Sequence, residues 1–164
     1  MSPIHFAPYV LLVTFLLSAC GAQPRQPQPP EIVYGQDVCE GCGMIIGEAK
    51  FAAATILTDG TARKFDDIGD MLIYHLDHPE AQVKAWFVHD YQSETWLRGE
   101  TAFFVKGDLM TPMGGRIAAF ENKTAAETYA AELISRLGEP DLSAPEHHLV
   151  GGKFCAAPLG VPMV

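Results

Sequence analysis

The sequence is short of positive charge, of sulfur and of long apolar runs, and each shortage closes off a class of function. Lys and Arg total 11 against 20 Asp and Glu, a formal charge of −9 over 164 residues. Such a chain repels phosphate backbones, so nucleic acid is excluded as a natural partner; cations, a basic protein or plain solubility suit it better. No apolar run approaches the roughly 20 residues of a membrane-spanning helix. No His-Glu-x-x-His motif, glycine-rich phosphate loop or nucleophile elbow is present, so the familiar hydrolase and nucleotide-binding chemistries lack their residues. The 4 cysteines are Cys20, Cys39, Cys42 and Cys155. The close pair among them spans only two residues, and a disulfide there would staple little of the fold. A zinc ribbon needs a second Cys-x-x-Cys or paired histidines at ligand spacing, and the folded region offers neither.

What is present begins with a leader. Tyr9 to Leu17 is an apolar run of about nine residues, too short to span a bilayer. It is followed by Leu17-Ser18-Ala19-Cys20-Gly21, a small-residue cleavage site ending in Cys that resembles a bacterial lipobox. Only His5 and the amino terminus carry positive charge ahead of the run, a departure from the usual basic start. Residues 1–19 are therefore expected as a lipoprotein signal peptide, with Cys20 the lipidated first residue of the mature chain. Several acyl chains at about 0.8 kcal/mol per buried methylene would hold it on a membrane. Gly21 in place of Asp favours outer-membrane sorting, by resemblance to Gram-negative lipoproteins. Residues 20–31 form a Pro-rich tether, extended over roughly 30 Å at ~3.1 Å per residue.

The chemistry is expected in Cys39-Glu40-Gly41-Cys42-Gly43-Met44, two thiols and a thioether within six residues. If Cys42 to Ile46 runs extended, Cys42 and Met44 share a face. Thiolate and thioether ligands select Cu(I) over hard cations, and a Met ligand makes Zn(II) a poorer match. The pair also admits a second reading, a thiol-disulfide oxidoreductase, although such motifs usually open a helix in a βαβ pattern. A free thiol with pKa near 8.5 is only about 3% ionised at neutral pH, so metal binding must itself expel the proton. The histidines rank lower as ligands. His75 lies on an apolar helix face, whereas His78 and His89 end elements and could reach a metal. Met71 is expected in the core and Met110 in the core or at the surface.

The folded region reads as α+β. Phe51 to Leu57 and Thr61 to Phe65 are strands around an Asp59-Gly60 turn. Asp66 or Asp67 caps a helix whose apolar face is Ile68, Met71, Leu72, His75 and Leu76, and Val83 to Val88 is a further strand. Beyond it, Tyr91 to Trp96, Ala102 to Val105 and Arg116 to Phe120 are strand candidates. Thr124-Ala-Ala-Glu127 reads as a capping box, opening a helix with the stripe Ala126, Tyr129, Ala130, Leu133, Ile134 and Leu137. Gly138 and Pro140 stop it. This predicts two small ββα(β)-type halves packed together, about 32–90 and 91–138. Residues 139–164 are expected as a flexible tail, whose His147, His148, Cys155 and Met163 lack a scaffold.

Taken together, Cys39-x-x-Cys42-Gly43-Met44, Thr58-Asp59-Gly60, Phe65-Asp66-Asp67 with Asp70-Met71, and Thr111-Pro112-Met113-Gly114 ahead of Ala119-Phe120 resemble the NosL family. These are copper-binding lipoproteins accessory to nitrous oxide reductase, and the likeness runs from about Asp37 to Gly138. The resemblance implies a fold similar to organomercurial lyase and a periplasmic, lipid-anchored Cu(I) metallochaperone serving denitrification. It would deliver copper to the multicopper sulfide site of the reductase, alongside that enzyme's assembly machinery. The implied Cu(I) ligands are Cys42 and Met44, then Met113, with Cys39 an auxiliary ligand, a redox partner or a bystander. A metal carrier of this kind performs no catalytic turnover.

Overall fold

The computed structural model describes residues 26–136. The leader, Cys20, the helix stop at Gly138 and Pro140, and the tail with Cys155 lie outside the described residues. The chain runs through a 3-10 turn at Ala49–Phe51, β1 (Ala53–Leu57), β2 (Ala62–Phe65), helix α1 (Ile68–Asp77) and β3 (Val83–His89). It continues through β4 (Trp96–Arg98), β5 (Phe103–Lys106), β6 (Ile117–Phe120) and helix α2 (Lys123–Arg136). Among the described residues the fold is α+β, with two small antiparallel sheets and two helices. Among the described residues no helix is long and apolar enough to cross a membrane.

The larger sheet has the order β2-β1-β3-β4. Its first hairpin closes as the Asp59-Gly60 signal requires: Gly60 takes φ +90°, and the Asp59 carboxylate accepts from Thr61 N at 2.8 Å. β1 is central and almost wholly buried, its Ala53 and Ala54 fully so. Small side chains there let β2, β3 and the layers above and below approach closely. Asp67 caps α1, its side chain accepting from Gly69 N, and Ile68 and Met71 go into the core.

Three expectations fail, each for a physical reason. Tyr91 to Trp96 is a turn, because the Asp90 carboxylate accepts from Gln92 N, Ser93 N and Ser93 Oγ and offers the backbone an alternative to a ladder. Its continuation β4 then folds back on β3, pairing His89 with Trp96 and Phe87 with Arg98. β4 thus lies past residue 90 yet belongs to the first sheet. Asn122, not Thr124, caps α2, its Oδ1 accepting from Ala125 N at 2.9 Å. Glu127 consequently pairs with Lys123 at 3.2 Å, one turn back, rather than reaching a cap. Leu76 and Ile134 are exposed, 69% and 45%. Each sits eight positions past the first buried residue of its stripe, about 80° round the helix at ~100° per residue, and so falls off the buried edge.

The β5–β6 ribbon joins the halves. Its side chains alternate: Phe104, Ile117 and Ala119 pack into the core of the first sheet and α1, while Val105, Ala118 and Phe120 pack under α2. Asp90 bridges to Ala119, Tyr91 N donates to Ala119 O at 2.8 Å, and the free oxygen of Asp90 accepts from Glu121 N at 2.8 Å.

Candidate metal centre

The Cys-x-x-Cys stretch is the tip of a tight hairpin. Val38 bridges Ile45, with Ile46 N donating to Asp37 O at 2.9 Å and Cys39 N to Met44 O at 2.8 Å. At the tip Gly43 N donates back to Cys39 O at 3.0 Å, and the reversal needs φ +75° at Gly43. The extended run expected from Cys42 to Ile46 is therefore broken: Cys42 is in the turn, and the register sets Met44 across from Cys39. Three contacts pin the hairpin to β2. Glu40 N donates to Lys64 O at 2.8 Å, Arg63 pairs with the Glu40 carboxylate at 2.8 Å, and Lys64 pairs with Asp37 at 2.7 Å.

Pinned in this way, the two thiols face the start of α1. Cys39, Cys42, Asp66 and Asp70 each present a possible ligand atom, and the four atoms lie within 4.8 Å of one another. Cys39 Sγ donates to Asp70 Oδ2 at 2.9 Å, and Cys42 Sγ to Asp66 Oδ1 at 3.6 Å. Gly41 permits this approach, since a methyl there would overlap the Asp70 carboxylate. Cys39 is 1% exposed while Cys42 is half-buried, so the centre has a closed end and an open one.

From the sequence Asp66 is offered only as an alternative cap to Asp67, and neither Asp66 nor Asp70 is placed at the thiols. The missed signal is numerical: Asp66, Asp67 and Asp70 crowd one helix start, yet a helix has a single N-cap. Asp67 fills it, which releases the other two for the thiols.

Electrostatically the thiols are held protonated. Burial pushes the Cys39 thiol far up, and donation to Asp70 adds to the rise. Burial also raises Cys42, with the charges of Asp66 and Asp70 acting in the same direction.

The methionines are placed at the periphery. Met44 is 54% exposed and Met113 41%, the latter in the loop between β5 and β6, while Met110 is almost fully exposed. Met113 N donates to Asp67 Oδ2 at 3.1 Å, which ties that loop to the start of α1. Met71 is core, as expected. None of the described histidines joins the thiol cluster. His75 shares a hydrogen bond with the buried Thr55 hydroxyl at 3.0 Å, and burial drops its pKa to about 4. His89 donates from Nδ1 to Ala52 O at 2.9 Å, leaving Nε2 to accept from the Tyr34 hydroxyl at 3.2 Å; burial keeps it neutral. His78 is exposed beside Glu80.

A comparison with family models matches NosL over residues 30–137. Among solved structures, the crystal structure of the copper chaperone NosL from Shewanella denitrificans aligns with a TM-score of 0.56 at 26% identity, covering 65% of this chain and 88% of that one. No curated protein matches the chain.

Proposed function

Because the chain belongs to the NosL family, we propose that it is an extracytoplasmic Cu(I) carrier whose cargo binds at the open end of the thiol cluster. The observation that carries this reading is the convergence of Cys39, Cys42, Asp66 and Asp70 at one partly open point. The donors fit Cu(I). Sulfur supplies the soft ligands, and two adjacent carboxylates favour a cation once the thiol protons have left. Met44 sits across the hairpin from Cys39 and Met113 in a loop tied to the start of α1, and both are exposed, so their side chains are free to turn a thioether toward the ion. A partly buried Cys42 at the open end suits a carrier, which must release its ion to a client, better than a closed four-ligand cage does.

The likeness to a solved copper chaperone supports the same reading. As the destination of the ion we propose the multicopper sulfide site of nitrous oxide reductase, with that enzyme and its assembly machinery as partners, the role that the sequence resemblance implies. Lipidation at Cys20 would hold the carrier on the periplasmic face of a membrane, with the outer membrane favoured by Gly21. The oxidoreductase alternative finds less support. An attacking cysteine needs its thiol pKa lowered, and burial raises both thiols here.

The test is anaerobic titration of Cu(I) into the reduced protein against a colorimetric chelator, repeated with Cys42→Ser, Met44→Leu and Met113→Leu. One tightly held Cu(I) that is lost in Cys42→Ser supports the site. Stoichiometric binding unaffected by Cys42→Ser would sink it.

A further inference from the structure

Asp67 is fully buried and lies outside the four groups of the thiol cluster, yet its carboxylate is hydrogen-bonded on both oxygens. Oδ1 accepts from Gly69 N at 2.6 Å, which is all that capping α1 requires. Oδ2 accepts from the β5–β6 loop three times: from Thr111 Oγ1 at 2.5 Å, Met113 N at 3.1 Å and Gly115 N at 3.2 Å. The loop closes on itself through Arg116 N, which donates to Thr111 Oγ1 at 3.1 Å. Gly69 and Gly115 let the two backbones touch, since a Cβ on Gly69 would come within 2.6 Å of the Gly115 Cα. One carboxylate therefore joins the helix start that supplies Asp66 and Asp70 to the loop that carries Met113.

We propose that Asp67 is a positioning residue that seats Met113 at the metal centre, so that the Cu(I) site is completed across the two halves of the fold. The proposal rests on the Cu(I) reading above. Every hydrogen-bond partner of the Asp67 carboxylate is a donor, so the site needs an acceptor on each side. Asp67→Asn keeps the shape but turns an amide NH₂ toward either Gly69 N or the loop donors. With the amide oxygen kept at the α1 cap, the NH₂ meets Thr111 Oγ1, Met113 N and Gly115 N, so the loop contacts give way and Met113 loses its place.

Cu(I) affinity, measured anaerobically on the full chain by chelator competition, tests this in a double-mutant cycle with Met113→Leu. Asp67→Asn is expected to weaken Cu(I) binding by about tenfold, which is ~1.4 kcal/mol. Met113→Leu should cost a similar factor, and Asp67→Asn should add nothing in that background. A purely structural role would cost the same factor in both backgrounds, and that result overturns the proposal, as does wild-type affinity in Asp67→Asn. If Met113→Leu alone leaves affinity unchanged, the proposal falls while the Cys42→Ser titration still judges the Cu(I) reading separately. Thr111→Val, which removes one loop bond and keeps the cap, serves the same cycle should Asp67→Asn not fold. Its loss must likewise vanish with Met113→Leu, and persistence of that loss counts against the proposal.

Discussion

Proton release should make Cu(I) affinity climb steeply with pH. Both thiols of the metal-free protein keep their protons and donate them in hydrogen bonds to nearby carboxylates, Cys39 to Asp70 and Cys42 to Asp66, and burial raises both pKa values. Since each raised thiol stays protonated through neutral pH, each one that becomes a ligand must release a full proton on binding. Affinity then rises about tenfold per pH unit for one thiolate ligand and about a hundredfold for two. Between about pH 6 and about pH 7.5 this amounts to roughly 30-fold for Cys42 alone and roughly 1,000-fold for both. The assay is chelator competition across that range, corrected for the chelator's own protonation. Cys39→Ser should lower the slope by one proton if Cys39 is a ligand and leave it unchanged if Cys39 is a bystander. A pH-independent affinity would mean that the thiols are ionised before binding or absent from the ligand set.

Acid should destabilise the protein through His75, whose pKa falls from 6.5 to about 4 on burial. A depressed pKa contributes stability above 6.5 that is lost as pH drops toward 4; the full shift is worth roughly 3 kcal/mol, and the ring's partial exposure reduces this to roughly 2. Urea midpoints should therefore fall less steeply with acid in His75→Gln, and an identical pH slope in the variant would contradict the assignment. Asp90→Ala strands the donors Gln92 N, Ser93 N and Glu121 N at the joint between the sheets and should cost about 3 kcal/mol in denaturant titration. A cost within about 0.5 kcal/mol, the range of ordinary surface changes, would show that the joint does not depend on it. Gly115→Ala forces a Cβ to within 2.8 Å of the Gly69 Cα and should cost about 1–3 kcal/mol, seen as a lower melting temperature by calorimetry. An unshifted melting temperature would mean that the loop and helix separate at no cost.

Local chemistry made much of this molecule legible. The Asp59-Gly60 turn, the Asp67 cap and the core faces of both helices follow from rules that act within a few residues. The errors in the helices were of phase, as Leu76 and Ile134 show, because a helical stripe has edges that a list of apolar residues does not reveal. Competition between close alternatives produced two more: Asn122 and Thr124 are both good caps, and Asp90 converts a strand-like sequence into a turn. The site was half legible. Its sulfur atoms stand together in sequence, but Asp70 lies 31 residues from the Cys39 it meets and Asp66 lies 24 from Cys42. Only the pinning of the hairpin to β2 brings them together. The facing of Met44 toward Cys39 depended equally on a register that Gly43 sets and that strand alternation alone misjudged.

X-ray absorption at the copper edge of the Cu(I)-loaded full chain reads the thiolate-centred site itself. We expect a shell dominated by sulfur at about 2.3 Å, the length of a metal–thiolate bond. That shell should lose a scatterer in Cys42→Ser and again in Met113→Leu. A shell of nitrogen and oxygen, or a sulfur shell untouched by Cys42→Ser, would contradict it and move the copper away from the hairpin.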